Sequence, residues 1–93
     1  MERRKLDERE LYRELADIPD WENDGDSIKL SRKFANFAEA LAFVNQVGDL
    51  AEAADHHPDI TFGWGYADVL LTTHDRGGVT DVDTALAKQI DAI

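Results

Sequence analysis

The chain has 93 residues, and its 20 acidic and 10 basic side chains give it a formal net charge of −10. A surface this acidic repels the phosphate backbone, which argues against direct binding to nucleic acid. The chain has no cysteine, so disulfide bonds and cysteine-based zinc sites are excluded.

The length fits one domain, residues 1–93, with a modest core. The longest apolar run, residues 40–44, is far short of the roughly 20 residues that a membrane-spanning helix needs. The charged N-terminus does not resemble a signal peptide. We therefore expect a cytoplasmic protein without a membrane anchor. The excess of acidic side chains also suits a protein that stays soluble in concentrated salt, because salt screens the repulsion between its negative charges.

The first third of the chain predicts a helix and a hairpin. Apolar residues recur at helical spacing over residues 6–18, and Pro19 ends this helix. Asp24 and Gly25 form a strong turn signal because both tolerate a positive φ. The residues after this turn alternate between apolar and polar, which predicts a half-buried strand paired with the segment at Trp21.

A long helix and a second pair of strands follow. Asn36, with Glu39 three residues later, resembles a capping box. The apolar stripe that begins there predicts a helix over residues 37–54. Alternating residues over 60–64 and 66–73, with glycine between them, predict two more strands.

A second capping-box pattern, Thr80 with Asp83, opens a last helix. The predicted order is α-β-β-α-β-β-α. Helices that follow strand pairs predict an α+β fold, in which a four-stranded antiparallel sheet packs its helices on one face. The two open sheet edges lead us to expect a dimer.

All three histidines, His56, His57 and His74, lie between residues 52 and 83. One interpretation is that they are surface or capping residues, and composition does not reject it. Pro58 biases His57 toward an extended backbone, in which neighbouring side chains point to opposite sides. We therefore expect His56 and His57 not to share one ligand directly unless the loop bends.

Two chemical interpretations remain. Three imidazoles and a carboxylate could bind zinc or iron, but two adjacent histidines and a third 17 residues later match no familiar metal-binding spacing, so we expect no metal. Metal-free acid/base catalysis is favoured, because imidazole titrates near neutrality and can both donate and accept protons. Glu52 and Asp83 are close enough in sequence to orient the imidazoles.

The spacing of these residues carries a family resemblance. The motif consists of Glu52-Ala-Ala-Asp55-His56-His57-Pro58-Asp59, then Trp64, then Thr72-Thr73-His74-Asp75-Arg-Gly77-Gly78-Val79-Thr80 and Asp83. It resembles the signature of the pterin-4a-carbinolamine dehydratase family. The resemblance runs without gaps from about Phe37 to the C-terminus and extends more loosely to Trp21.

This resemblance implies an α+β fold that assembles as a homodimer or homotetramer. It implies the dehydration of 4a-hydroxytetrahydropterin to quinonoid dihydropterin, a step that recycles the pterin cofactor of aromatic amino-acid hydroxylation. The pterin is then the substrate, and no further cofactor or metal is expected. The family also includes dimerisation partners of transcription factors, so a non-catalytic pterin-binding or regulatory role is the alternative. A different pterin substrate is equally compatible with the sequence.

Residue by residue, the resemblance implies that His56, His57 and His74 are catalytic, with His57 the first choice for general acid/base. It implies that Glu52 and Asp83 are carboxylates at the edge of a substrate site. For Glu52 this means orienting an imidazole or meeting the pterin, whereas the capping-box spacing of Asp83 is an alternative explanation for it.

Three further residues match the family pattern. Trp21 matches an aromatic that could close over the ring of the substrate, although a place in the core is the alternative. Thr73 is implied to be a substrate-binding residue beside His74. Trp64 stands where the family has an aromatic, and Gly65 and Tyr66 after it depart from the polar residues of many relatives.

Overall fold

The computed structural model describes residues 3–93. Within them, three α-helices, four β-strands and a short 3-10 helix follow the predicted order, which confirms the α+β class. The helices are α1 Glu8–Ala16, α2 Phe37–Ala54 and α3 Asp81–Asp91, the strands are β1 Trp21–Asp24, β2 Ser27–Lys33, β3 Asp59–Gly63 and β4 Tyr66–Leu71, and the 3-10 helix is His74–Arg76. Every helix in this part of the chain is too short or too polar to cross a membrane.

The four strands form one antiparallel sheet in the order β1-β2-β4-β3. Two hairpins, β1–β2 and β3–β4, meet where β2 pairs with β4. The turn of the first hairpin lies one residue later than predicted, because Asp24 pairs with Ser27 and leaves Gly25 and Asp26 as the turn. Of these two, Gly25 alone has a positive φ, 63°, a conformation that glycine adopts without steric cost.

The core lies on one face of the sheet, as predicted. Alternate residues of the two central strands point to this face and are fully buried: Ile28, Leu30, Ala67, Val69 and Leu71. The helices cover them with Ala40, Phe43, Val47 and Ala51 from α2 and with Leu86, Ala87 and Ile90 from α3. Each buried aliphatic side chain of Val, Leu or Ile size contributes about 1.5–3 kcal/mol.

The helix starts show which capping signals the chain uses. Helix α1 begins later than predicted, because the side chain of Asp7 accepts the Glu10 N–H and the Glu10 carboxylate accepts the Asp7 N–H. In α2, Asn36 accepts the Glu39 N–H at 2.9 Å, as predicted. The Glu39 carboxylate accepts from the Ala35 N–H instead of the Asn36 N–H. Helix α2 therefore begins where predicted but with a modified capping box.

The segment before α1 lies along the segment before α3. Residues 4–6 run antiparallel to residues 79–81, and the Leu6 N–H donates to the Val79 carbonyl at 3.0 Å. No sequence pattern predicted this pairing. It places Arg3 beside the region that carries the histidines.

Candidate active site

Helix α2 ends in a turn that separates the two adjacent histidines. Asp55 has φ 49° and ψ 45°, and within residues 3–93 it is the one non-glycine residue with a positive φ. The His56 N–H donates back to the Ala51 carbonyl at 3.1 Å, the hydrogen bond of a Schellman turn. This reversal directs His56 into the protein, where it is 5% exposed, and leaves His57 outside.

The ring of His56 is held by a carboxylate. Its Nε2–H donates a hydrogen bond to Oδ1 of Asp83, which is fully buried. When the imidazole is neutral, a donating Nε2–H makes the other ring nitrogen, Nδ1, an acceptor. The carboxylate thereby fixes both the tautomer and the orientation of His56.

The second oxygen of Asp83 is also fully used. Oδ2 accepts the Thr73 hydroxyl at 2.8 Å and the Thr80 N–H at 2.9 Å, and the two threonine hydroxyls lie 2.9 Å apart. A buried carboxylate needs such donors because it has lost its water. Asp83 therefore caps helix α3 with one oxygen and holds His56 with the other.

His57 has a different partner and a different environment. Its Nε2–H donates to Oε2 of Glu52 at 2.5 Å, and the two side chains are 58% and 77% exposed. Glu52 lies in the last turn of α2, where the negative helix end disfavours a carboxylate unless it has a partner. An exposed pair of this kind adds little to stability, so its main effect is to orient the ring of His57.

His74 is presented by a second turn, after β4. The Thr73 N–H donates to the Gly78 carbonyl at 3.0 Å, which closes the loop that contains the 3-10 helix. Gly77 caps the C-terminal end of this helix with φ 73°, where glycine is favoured. The segment from Thr73 to Gly78 is therefore a closed turn, with His74 exposed near its start.

The two turns line one cleft of about 310 Å³, at the lower end of the range for small-molecule sites. Its chemistry comes mainly from His56, His57, Thr72, Thr73 and His74. A larger cavity of about 450 Å³ lies between the second half of α2 and the C-terminal end of α3. Asp49 is the one charged side chain among its lining residues, and no imidazole is among them, so the smaller cleft is the better candidate for catalysis.

The structure divides the predicted site residues into three groups. His56, His57, His74 and Thr73 line the cleft. Asp83 lies behind His56, and Glu52 contacts His57 from outside the cleft.

The expectation that Trp21 closes over a ligand is corrected by its position. Trp21 is 3% exposed, and its Nε1–H donates to Oδ1 of Asp91 at 2.9 Å. Its ring packs in the core because β1 turns this residue to the inner face of the sheet. Trp21 therefore has a structural role, which the sequence had left as the alternative.

Arg3 also lines the cleft, and sequence reasoning missed it. Its place depends on the pairing of residues 4–6 with residues 79–81, a contact between distant parts of the chain. No local motif marks such a residue. The nearest signal is the basic cluster near the N-terminus.

The imidazoles and carboxylates of the site form separate pairs. His56 meets Asp83, and His57 meets Glu52. Within residues 3–93, no three His, Asp or Glu side chains are grouped so that they could hold a metal ion. The arrangement is one of oriented imidazoles beside an open cleft.

Fold and site together define a small α+β protein with a histidine-lined cleft beside its antiparallel sheet. A family model described as pterin 4 alpha carbinolamine dehydratase matches residues 4–93. The chain belongs to this family.

Individual relatives agree with this assignment. A protein of Thermomicrobium roseum, provisionally named a pterin-4-alpha-carbinolamine dehydratase, is 48% identical over 86 residues, 92% of each chain. A crystal structure from Brucella melitensis, described as a transcriptional coactivator/pterin dehydratase, has a TM-score of 0.89 and 36% identity, over 95% of this chain and 96% of that one. A pterin dehydratase-like protein described as a RuBisCO assembly factor in the alpha-carboxysome has a TM-score of 0.62 and 25% identity, over 77% of this chain and 83% of that one.

Proposed function

We propose that this protein is a hydro-lyase that converts a 4a-hydroxytetrahydropterin into quinonoid dihydropterin and water. Membership of the family and the names of the relatives support this reaction. The observation that carries the proposal is the cleft itself. His57 and His74 stand on two separate turns, and Asp83 joins those turns by accepting from His56 and from Thr73.

The reaction moves two protons. The C4a–O bond breaks as the hydroxyl takes up a proton and leaves as water. The adjacent ring nitrogen loses its proton, and the N–H electron pair becomes the second bond between that nitrogen and C4a. One group must donate and another must accept, and imidazole suits both tasks near neutral pH. His57 and His74, the two exposed imidazoles of the cleft, share these tasks in the proposed mechanism.

The remaining residues act on the reacting groups indirectly. His56 is fixed by Asp83, so its Nδ1 offers the substrate a hydrogen-bonding atom with a constant position. Glu52 holds the His57 ring by its Nε2–H, which leaves Nδ1 of His57 for proton transfer. The Thr73 hydroxyl donates a hydrogen bond to Asp83 and supports the site from below. The pterin is the substrate, and the proposed reaction needs no metal or further cofactor.

The proposal is tested by following the ultraviolet change as a 4a-hydroxytetrahydropterin dehydrates. The native protein is expected to accelerate the change, and His57→Ala and His74→Ala to reduce this acceleration. Gln46→Ala is a matched control, because Gln46 lines the larger cavity and not the cleft. A native protein that leaves the rate at its value in buffer would refute the enzymatic role.

A second candidate is a non-catalytic pterin-binding or regulatory protein on the same fold. The similarity to the Brucella melitensis protein, whose description includes transcriptional coactivator, favours keeping this candidate. The intact trio of histidines favours catalysis, since a purely structural role does not need exposed imidazoles. Pterin binding without acceleration of dehydration would support the second candidate over the first.

The proposal includes the setting in which the protein works. The pterin is the small-molecule partner, a second copy of the chain is the protein partner, and neither nucleic acid nor membrane is involved. A homodimer or homotetramer in the cytoplasm is the proposed state.

A further inference from the structure

We propose that Arg3 is a positioning residue that links the two histidine-bearing turns by hydrogen bonds at the rim of the cleft. We call this link the clasp. The inference rests on the proposed function for its catalytic consequence. Its structural part stands on contacts that the structure shows directly. Arg3 itself is half-buried and lines the cleft.

The side chain of Arg3 binds the first turn. Its Nη2–H donates to the Asp55 carbonyl at 2.7 Å. Asp55 is the residue in the left-handed conformation, and it directly precedes His56 and His57. The guanidinium therefore holds the backbone group whose direction decides where the two histidines point.

The backbone of Arg3 binds the second turn. The Arg76 Nε–H donates to the Arg3 carbonyl at 3.0 Å, and Arg76 ends the 3-10 helix that His74 begins. One residue is thus bonded to both walls of the cleft. The two bonds use different parts of Arg3, so each can be removed by a separate substitution.

Arg3 can hold the two turns in place because the next residue, Arg4, is hydrogen-bonded to the start of helix α3. The Arg4 N–H donates to Oδ1 of Asp81 at 3.0 Å, and the Asp81 N–H donates to the Arg4 carbonyl at 3.1 Å. Asp81 opens helix α3, which also carries Asp83. The cleft is therefore held at its base by the buried Asp83 network and at its rim by Arg3.

Both contacts of Arg3 are exposed, so they contribute little to global stability. Their effect is to fix the relative position of the two histidine-bearing turns. A shift of about 1 Å in the relative position of catalytic groups can cost as much as 100-fold in rate. Loss of the clasp is therefore expected to lower kcat while leaving the fold and most of the substrate affinity unchanged.

The test compares Arg3→Ala, Arg76→Ala and the double variant in the dehydration assay. Each single variant is expected to lower kcat about tenfold with little change in KM. The double variant is expected to be no slower than either single variant, because both substitutions break the same link and such effects are not additive. Arg4→Ala is the matched control: its guanidinium pairs with Glu10, away from the cleft, so its kcat should equal that of the native protein.

Amide hydrogen exchange provides a readout that does not depend on activity. Arg3→Ala and Arg76→Ala are expected to speed exchange at the His56 and Gly77 N–H groups, and Arg4→Ala is not. Native exchange at both groups in Arg3→Ala, or additive losses of kcat in the double variant, would overturn the clasp. A native protein that shows no dehydratase activity would refute the proposed function alone, because the exchange rates would still decide whether the clasp exists.

Discussion

Adjacent histidines in this chain occupy opposite environments. His56 is 5% exposed and is bound to a buried carboxylate, whereas the side chain of His57 is 58% exposed and is bound to an exposed one. A buried ring whose Nε2 is held by a carboxylate keeps a constant orientation, which suits the recognition of a substrate atom. A ring that reaches solvent can exchange its proton between turnovers, which general acid/base catalysis requires.

Asp83→Asn tests the buried pair. Asparagine has one accepting oxygen, so its amide N–H₂ must face either His56, which then has to switch tautomer, or the donors of Thr73 and Thr80. The free energy of unfolding is expected to fall by about 1–3 kcal/mol. The dehydration rate is expected to fall as well, because the tautomer and orientation of His56 are no longer fixed. Urea denaturation and the ultraviolet assay measure the two effects.

Asp81→Asn is the control for this prediction. Asp81 lies in the same first turn of α3 but accepts the Arg4 N–H with Oδ1, an oxygen that asparagine retains. Its stability and rate should stay close to those of the native protein. Equal stabilities of the Asp83→Asn and Asp81→Asn variants would contradict the role given to the buried pair.

At the scale of the elements, the end of α2 decides the geometry of the site. Asp55 holds a left-handed conformation, which costs a non-glycine residue roughly 1–2 kcal/mol. Asp55→Gly removes this cost and adds some freedom to the unfolded chain. The free energy of unfolding is therefore expected to rise by about 0.5–1 kcal/mol.

The stability of Asp55→Gly is best compared with that of Asp55→Ala. Alanine tolerates the left-handed region less well than aspartate, whose short polar side chain can bond locally, so this variant is expected to be less stable than the native protein. Both variants keep the backbone carbonyl that Arg3 binds. Chemical denaturation that ranks Asp55→Ala above Asp55→Gly would contradict the explanation of the turn.

Elements with strong local signals could be predicted from the sequence. The Asn36 cap and its apolar stripe predicted the bounds of α2, and alternation predicted β2, β3 and β4. The turn at Asp55 was missed because its usual signal is a glycine. The start of α1 was misplaced because the helical spacing of Leu6 outweighed the cap at Asp7.

In the candidate site, too, only the residues with a local sequence signal could be predicted. The spacing of the three histidines and Asp83 predicted a common region, and the structure brings them together because a helix end, a strand end and a helix start meet there. The burial of Trp21 depends on which face of β1 points inward, and the place of Arg3 depends on pairing across more than 70 residues. Neither has a local sequence signal.

At the scale of the molecule, the net charge of −10 makes the folded state repel itself. The Debye length falls from about 10 Å at 0.1 M salt to about 3 Å at 1 M, so added salt screens this repulsion. Tm is therefore expected to rise as KCl is raised over this range. A Tm that falls or stays level, measured by differential scanning calorimetry, would contradict adaptation of the acidic surface to concentrated salt.

Exposed apolar side chains lie on α2 and directly after the edge strand β3. Phe37 packs against Phe62 of this strand, with ring centroids 5.5 Å apart, and Phe37 and Leu41 remain 44% and 37% exposed. Trp64, directly after the strand, is 73% exposed. An open edge beside apolar side chains favours pairing with a second copy.

Sedimentation velocity tests that expectation. The native protein should sediment as a dimer or tetramer, and Leu41→Glu, which places a charge in the apolar surface, should shift it toward a smaller species. Asp49→Lys, on the same helix but at the larger cavity, is the control for a change of charge. A native protein that is monomeric at every concentration would contradict the predicted assembly.

Proton transfer by His57 is tested most directly by chemical rescue. His57→Ala removes an imidazole from an exposed position, so free imidazole from solution can enter the vacated space. The variant is expected to lose at least about 100-fold in kcat/KM for dehydration, and added imidazole to restore the rate in proportion to its concentration. His56→Ala, whose ring is buried, should not be rescued. A native rate in His57→Ala, or a lost rate that imidazole does not restore, would contradict the role of His57.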